Sequence, residues 1–382
     1  MTFVQAEFLN KNTLFVLMVK NKFKEIHIWD FPDDIYILLD EDYTKSLFKE
    51  SLYRIAKRLN RSRSTVLGWY RCSWRDKSQY MPIWALKKLH ELYKINKALT
   101  EQHVVSYRIA AGKPITNPIL PIIGDSYIFR IIGHLIGDGS GGDEKGSTPN
   151  YCNTSLPVRM EFIELLKNTF GEVHYNHMPK HHALTFSKAI VLIIKKQYKI
   201  NDFRGSKCVL LDDFLEQDKS LLMAFVKSFI IDESTIRSSG IDIYCGNYQV
   251  LTVLKKVCLK LGYRVGKIKR GNEVFYFRIY SYSLIQLKND IGIMSHKQKE
   301  ERLLFSISLL ERGWKQRKRW VVRSQIIKLL KEKPMTVYEI CFKLGIGFTS
   351  IRDFHLIRME KEGLVCRDTS SKEHIWRIKE AY

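Results

Sequence analysis

The sequence is short of acids, of paired cysteines and of long apolar runs. Its seven cysteines are scattered with no CxxC pair. That excludes a disulfide framework or a zinc knuckle as the organising device and fits a reducing cytoplasm. Stretches such as "ILPII" and "AIVLII" fall far below the roughly 20 apolar residues that span a bilayer, and nothing resembles a signal peptide. There is no P-loop, dinucleotide fingerprint, HExxH or nucleophile elbow, so the chemistry those motifs support is not expected. Intein splicing is not expected either: the sequence starts at Met1 and ends in Ala381-Tyr382, with no terminal Asn and no nucleophile at its first position.

What is abundant is positive charge. Of 382 residues, 63 are Lys or Arg against 40 Asp or Glu, a formal net charge of +23. The excess runs along the whole chain, and a polyanionic partner is its natural meaning, because Lys and Arg release counterions from a phosphate backbone. The plainer alternative is a solubility surface. The 45% hydrophobic fraction can build real cores, and the length suits two to four domains. Nucleic acid rather than membrane is the expected partner, and cytoplasm with association to the nucleoid the expected place.

The chain divides by pattern. Residues 1–45 form a small strand-rich segment: "EIHIWDFPDDIYILLD" alternates apolar and polar residues around a turn at Pro32-Asp33-Asp34. Residues 46–100 read as helical. In "SLYRIAKRLNRSRSTVLGWYR", Leu52, Ile55, Ala56 and Leu59 fall at helical spacing, Asn60-Arg61 breaks the run, and Ser62 can cap a second helix bearing Val66, Leu67 and Trp69. This resembles a helix-turn-helix, whose second helix would offer Arg63, Ser64, Thr65 and Arg71 to DNA. An ordinary helical hairpin with a basic face is the alternative. Residues 101–125, with Pro114, Pro118 and Pro121, read as a linker. After a basic run, Lys315 to Trp320, residues 315–382 give helix, short helix, a Gly345/Gly347 turn, a longer helix, then two strands around a polar turn from Asp368 to Lys372. That order looks like a winged helix. Thr349, Ser350, Arg352 and Asp353 would begin its recognition helix, and Arg367 and Lys372 would lie on the wing. Winged helices also serve as protein-docking modules.

The middle, residues 126–311, repeats itself, with units of about 126–215 and 216–311. "IFRIIGHLIGDGSGG" and "LLMAFVKSFIIDEST" are apolar helices ending in acids. After them, "YCNTSLPVRMEFIELLKNTFG" and "YCGNYQVLTVLKKVCLKLGY" both start Tyr-Cys and run through an amphipathic helix to Gly171 or Gly262. Alternating strands and a closing helix follow in each. The offsets agree: 233 minus 138 is 95, and 262 minus 171 is 91. Such a duplication sets two equivalent helix ends side by side. Gly133 and Gly137, four apart on one face, would let the helix backbones approach. The tips would bring together carboxylates that stay ionised only with a cation between them. Oxygen ligands with room for waters suit Mg2+, or Mn2+, which can stabilise the attacking and leaving oxygens of a phosphodiester.

"IIGHLIGDG" (131–139) and "VKSFIIDES" (226–234) resemble the two signature motifs of single-chain LAGLIDADG homing endonucleases, and the resemblance covers about half the chain. It implies an α+β fold: a duplicated αββαββα core with saddle-shaped antiparallel sheets over DNA, here flanked by the helix-turn-helix-like and winged-helix-like units. It also implies that Asp138 and Glu233, at the eighth motif position, bind the catalytic metal and help activate water. The implied activity is hydrolysis of both strands of a long asymmetric duplex site, as in intron homing, by a monomer. The sequence departs from the motif in several places. Ile136 and Ile231 stand at the sixth position. In the second copy Ser228, Asp232 and Ser234 replace small residues, and Asp232 puts a polar group at the helix crossing. The hairpin "HYNHMPKHHALTF" offers His174, His177, Lys180 and His182, as a groove contact in preference to a metal site. Its counterpart "RVGKIKRGNEVFYFRIY" offers Arg264, Lys269, Arg270 and Arg278. Lys188 and Lys267 (or Lys269) are candidates to stabilise transition-state charge. Two other readings stand beside the nuclease: a non-cleaving DNA-binding transcriptional regulator on the same fold, and an intron RNA maturase.

Overall fold

The computed structural model describes residues 23–71, 80–142, 147–204, 207–271, 274–312, 319–370 and 374–379. Residues 1–22, the first part of the Lys315–Trp320 basic run, Lys372 and the three C-terminal residues lie outside the described residues.

The first unit is one antiparallel sheet carrying helices. The sheet runs Met81–Pro82, Ile35–Leu39, Val104–Ile109, Ile115–Thr116, Glu172–Val173. Its helices are α1 (Glu41–Leu47), α2 (Leu52–Leu59), α3 (Arg63–Arg71), α4 (Ile83–Tyr93) and α5 (Lys97–Gln102). The turn at Pro32 forms as expected, with the Ile35 N–H donating to the Pro32 carbonyl at 3.1 Å. The strand-rich segment and the helical unit share this sheet. The expected linker 101–125 is instead built into it: Val104–Ile109 is its middle strand, with Tyr107 opposite both Ile37 and Ile115. All three side chains are buried. A turn over 110–112, closed by the Gly112 N–H on the Ile109 carbonyl at 3.1 Å, ends that strand, and Pro114 leads directly into the next one. The α2–α3 pair folds as its pattern predicts. Ile55, Ala56 and Leu59 face inward. Asn60 takes the left-handed conformation, φ 52°, and the Ser62 hydroxyl accepts from the Thr65 N–H at 3.1 Å. Asn is among the few residues that tolerate that conformation, so the sharp turn sits where it is cheapest.

The core repeats α-β-β-α-β-β-α. The first copy has α6 (Ser126–Ile136), α7 (Leu156–Phe170) and α8 (Lys188–Tyr198); the second has α9 (Lys219–Glu233), α10 (Tyr248–Lys260) and α11 (Leu284–Ile291). Each copy carries a four-stranded antiparallel sheet. The first runs Asn176–Met178, Ala183–Thr185, Asn150–Cys152, Gly139–Ser140; the second runs Ser234–Arg237, Gly240–Cys245, Phe275–Tyr280, Lys269–Arg270. Numbered within their own copy, both have the spatial order 1-2-4-3. The shared order demonstrates the duplication independently of sequence matching. Gly171 and Gly262 end α7 and α10 with positive φ, 104° and 89°, a conformation glycine adopts without a Cβ penalty.

The Tyr-Cys match between the copies is not structural equivalence. Tyr151 is fully buried and Cys152 exposed, whereas Cys245 is buried and Tyr244 turns outward against Tyr276. Asn153 and Asn247 each accept from the N–H two residues on, but Gly246 separates Cys245 from Asn247 where Cys152 directly precedes Asn153, and a one-residue slip on a strand exchanges its faces.

A long helix, α12 (Lys297–Arg312), leaves the core and enters the C-terminal unit. Leu303 belongs to the large core, while Phe305 and Leu309 belong to the second. The C-terminal unit has α13 (Arg319–Glu332), α14 (Val337–Leu344), a helix whose Ser350–Leu356 turns are π-type, continued by α15 (Ile357–Lys361), and a three-stranded sheet. Thr336 and Glu339 form a capping box at α14, and Gly345 ends it with φ 62°. The helix-helix-helix-hairpin order is that of a winged helix, as expected. Among the described residues no helix is long and apolar enough to cross a membrane.

Candidate active site at the ends of the paired helices

α6 and α9 pack along each other at the centre of the core, and small residues set their closeness. A Cβ on Gly133 would stand 2.7 Å from the Phe225 carbonyl oxygen and 2.9 Å from the Ser228 Cβ. One on Gly137 would stand 3.0 Å from the Asp232 Cβ. The two copies therefore meet position for position, Gly133 on Ser228 and Gly137 on Asp232. Arg130 anchors the same face by an ion pair to Glu161 at 2.7 Å.

Asp232, the awkward residue of the second motif, has a fully buried side chain with three protein partners. His134 Nδ1 lies 2.9 Å from Oδ2, the Tyr151 hydroxyl donates to Oδ1 at 2.7 Å, and the Asn153 amide stands 3.3 Å from Oδ1. A buried carboxylate is tolerated only when so satisfied. Two of these partners lie in the first repeat's lead into α7, and the third lies in the first motif itself. The helix crossing is thus closed by a polar network rather than by a second glycine.

Asp138 sits at the neighbouring tip. Asn153 donates to its Oδ2 at 2.8 Å. Burial, then the negative charges of Asp232 and Glu233, push its carboxyl up to about 7, against the smaller opposing effects of Asn153 and Lys299. Glu233 is raised as well, by burial and by Asp232. Asp138, Asp232 and Glu233 form one electrostatic cluster at the helix ends, and two of its members have proton affinities that an added cation would lower.

The cluster opens onto a cavity of about 820 Å3. Asp138, Asn153, Asp232, His181, His182, His296 and Lys299 line one side; Tyr338, Phe348, Arg352, Arg367 and Trp376 of the winged-helix unit line the other. Glu233 is not among the lining residues. Arg302 of α12 stacks on Tyr338 at 4.0 Å and ties the two sides together.

The expected candidates fall in different places. The basic side chain next to the carboxylates is Lys299, which the sequence reading missed; Lys188 starts α8 and Lys267 is exposed, and neither lines the cavity. His177, Lys180 and His182 lie on the exposed hairpin of the first sheet, whose far turn carries His182 toward the cavity, while His174 lies before its first strand. Arg278 is not a free groove reader. It holds Asp242 through two hydrogen bonds, 2.6 and 2.8 Å, and Arg237 joins the same carboxylate at 3.2 Å. Arg264, Lys269 and Arg270 are exposed, Arg264 beside the Tyr282 ring. Arg63, Ser64 and Arg71 are exposed on α3, and Thr65 is half-buried. Thr349 is exposed and Ser350 half-buried, while Arg352 faces the cavity with its guanidinium on Asp353 at 2.5 Å.

The donor set fits a hard divalent cation. The acids offer oxygens only, Asp232 is held by three protein groups, and among the described residues Asp138 keeps a second oxygen without a hydrogen bond. No cluster of three or more His, Cys, Asp or Glu forms a ready cage among the described residues. Mg2+ in general takes one or two carboxylates and completes its shell with water and substrate phosphate.

Residues 321–366 match the arsR family of bacterial regulatory proteins. The chain is 52% identical over 52 residues to the LexA repressor of Clostridium botulinum, covering 13% of this chain and 26% of that protein. It is 37% identical over 65 residues to the LexA repressor of Clostridium acetobutylicum, covering 15% and 32%. It thus spans about a quarter to a third of the curated relatives it matches. Among solved structures, it is similar to full-length DUF199/WhiA from Thermatoga maritima at 12% identity and a TM-score of 0.33, covering 62% of this chain and 90% of that chain. It is also similar to I-DmoI in complex with DNA and Mn, at 14% identity and a TM-score of 0.34, covering 44% and 96%. The α+β architecture, with a duplicated αββαββα core and helix-turn-helix-like and winged-helix units on either side, rests on this chain's own strand pairings.

Proposed function

We propose that this protein binds a specific duplex DNA site and hydrolyses phosphodiester bonds in it with a divalent metal, Mg2+ or Mn2+, at Asp138 and Glu233. The observation that carries the reading is the meeting of acidic helix ends in a duplicated core with two sheets of the same strand order, in a chain of charge +23. The bound ion would activate water and neutralise charge on the scissile phosphate. The chain's own residues do the rest. Asn153 fixes one Asp138 oxygen by its amide. His134 and Tyr151 hold Asp232 away from solvent, so that it shapes the site without competing for substrate. Exposed Lys and Arg of the hairpins, of α3 and of the winged helix supply phosphate contacts, so binding falls steeply with salt.

The test is selection of bound and of cut molecules from a random duplex library in Mg2+, repeated with chelator. Recovery of one long asymmetric site, cut only with metal, is the expected result. Tight, specific binding with no cutting in Mg2+ or Mn2+ would replace the nuclease with a non-cleaving regulator. Two observations favour that second reading: the match of residues 321–366 to a family of bacterial regulators, and the short likeness to LexA repressors.

A further inference from the structure

Lys299 is the third residue of α12, far in sequence from both motifs, yet its ammonium lies at the end of α9. It donates to three backbone carbonyls, those of Ile230 at 3.1 Å, Ile231 at 2.6 Å and Asp232 at 3.2 Å. An ammonium has three protons, so none remains for a substrate phosphate in this arrangement. These carbonyls belong to the last turn of α9, where no later helical N–H exists to bond them. The end of a helix is already its negative pole, and here Asp232 and Glu233 add to it. Three oxygens around a compact cation, with carboxylates beside them, is the setting a metal ion would take. Lys299 fills it from within the chain.

Among the described residues, none donates an ammonium to the end of the first motif helix. Gly137 closes α6 by its N–H to the Gly133 carbonyl, and the Asp138 carbonyl accepts from Cys152 at 3.0 Å. The residue 95 positions before Lys299, the offset between Asp138 and Glu233, is Arg204. It pairs with Asp202 at 2.8 Å and does not line the cavity.

We propose that the Lys299 ammonium stands in for a divalent ion at the second motif, leaving the Asp138 side as the one place where this site takes metal. The inference rests on the divalent-cation reading of the carboxylates. It predicts one ion where a duplicated site would otherwise take two. The ammonium repels a second cation and already occupies the carbonyl end that would help hold it.

The experiment counts Mn2+ bound to the full-length protein without DNA, by electron paramagnetic resonance of the free ion after equilibrium dialysis. Wild type is expected to hold one Mn2+ per chain. Lys299→Met and Lys299→Gln, each checked for folding by circular dichroism, are expected to hold one more than wild type, and Lys299→Arg the same as wild type. Asp138→Asn removes the wild-type ion. Equal counts in wild type and a folded Met or Gln variant overturn the proposal. So does a wild-type count of two, which needs no variant. A wild-type count of zero with a gain of one in Lys299→Met upholds the lysine's role and sinks the nuclease reading, so the two fail separately.

Discussion

At the end of α6 the chain turns through Gly137, Asp138 and Gly139; at the end of α9 the same three positions are Asp232, Glu233 and Ser234. Each difference has a local answer. A Cβ at Gly139 would stand 2.5 Å from the Leu135 Cα, so that position needs glycine. At its counterpart the Ser234 hydroxyl donates to the Ile230 carbonyl at 2.6 Å, turning the same closeness into a bond. Gly137 leaves room, and Asp232 fills that room with a carboxylate held by His134, Tyr151 and Asn153. Asp138 faces a cavity with one protein donor, whereas the acids of the second end have a lysine and a saturated neighbour. The two copies present equivalent ends, and protein groups fill the second where the first faces a cavity. A motif that looks decayed in sequence is, in structure, a different solution to the same crowding.

The largest test of this asymmetry is catalytic. Asp138→Asn is expected to lower cleavage by on the order of a thousandfold, because a lost anionic ligand removes stabilisation felt mainly in the transition state. Binding to the same duplex should change by no more than about twofold, since sheets and flanking units make the phosphate contacts. Glu233→Gln should lose less, because Lys299 already compensates that end. Cleavage and gel-shift assays on one cognate duplex measure both. Equal losses in the two variants would break the comparison and restore two equivalent sites.

The next effect is on stability against pH, measured by denaturant unfolding without metal. The Asp138 carboxyl rises from 3.8 to about 7 on folding, chiefly through burial. The folded state therefore binds its proton more tightly than the unfolded state does. That stabilisation is complete below pH 4 and is lost as pH rises through about 7. Asp138→Asn carries no proton to lose. Its stability relative to wild type should grow between pH 4 and pH 7 by on the order of 4 kcal/mol. A gap that stays constant across that window would show that Asp138 is not desolvated as described.

The glycine contact comes third. Gly133→Ala forces a Cβ against the Phe225 carbonyl, a backbone atom that cannot rotate away. A cost of about 1–3 kcal/mol is expected. Ser228→Ala, across the same contact, removes only a hydroxyl that Arg130 reaches at a long 3.4 Å and should cost well under 1 kcal/mol. Thermal or denaturant unfolding separates them. Comparable losses would mean that the helices do not meet position for position.

Much of this was legible in the sequence, and the reasons for the rest are physical. The motif glycines and Asp138 announce themselves by spacing, and the helix-turn-helix by its Asn60 break and Ser62 cap. Lys299 does not, because it is 66 residues beyond Glu233 and nothing local links an ammonium to a distant helix end (299 minus 233). Asp232 looked misplaced because its partners His134, Tyr151 and Asn153 come from the other copy. Val104–Ile109 was hidden by the prolines after it, and Arg278 looked free because Asp242, its partner, lies on the neighbouring strand.

The smallest effect tests the two tyrosines that the sequence aligns and the structure separates. Tyr151→Phe removes the hydroxyl that donates to Asp232 at 2.7 Å in a fully buried setting. His134 and Asn153 remain, so the carboxylate keeps two partners and the loss should be about 1.5 kcal/mol, the low end for a bond to a charged acceptor. The Phe ring preserves the stacking of Tyr151 on Phe162, whose centroids lie 4.4 Å apart, so packing is not in question. Tyr244→Phe, at the position matched by sequence, alters an outward-facing ring beside Tyr276 and should move stability by less than about 0.5 kcal/mol. If the two were true equivalents, both variants would lose the same amount. Equal losses would mean that the one-residue slip at Gly246 has not exchanged the faces, and that Asp232 is held in some other way than by the first repeat's tyrosine.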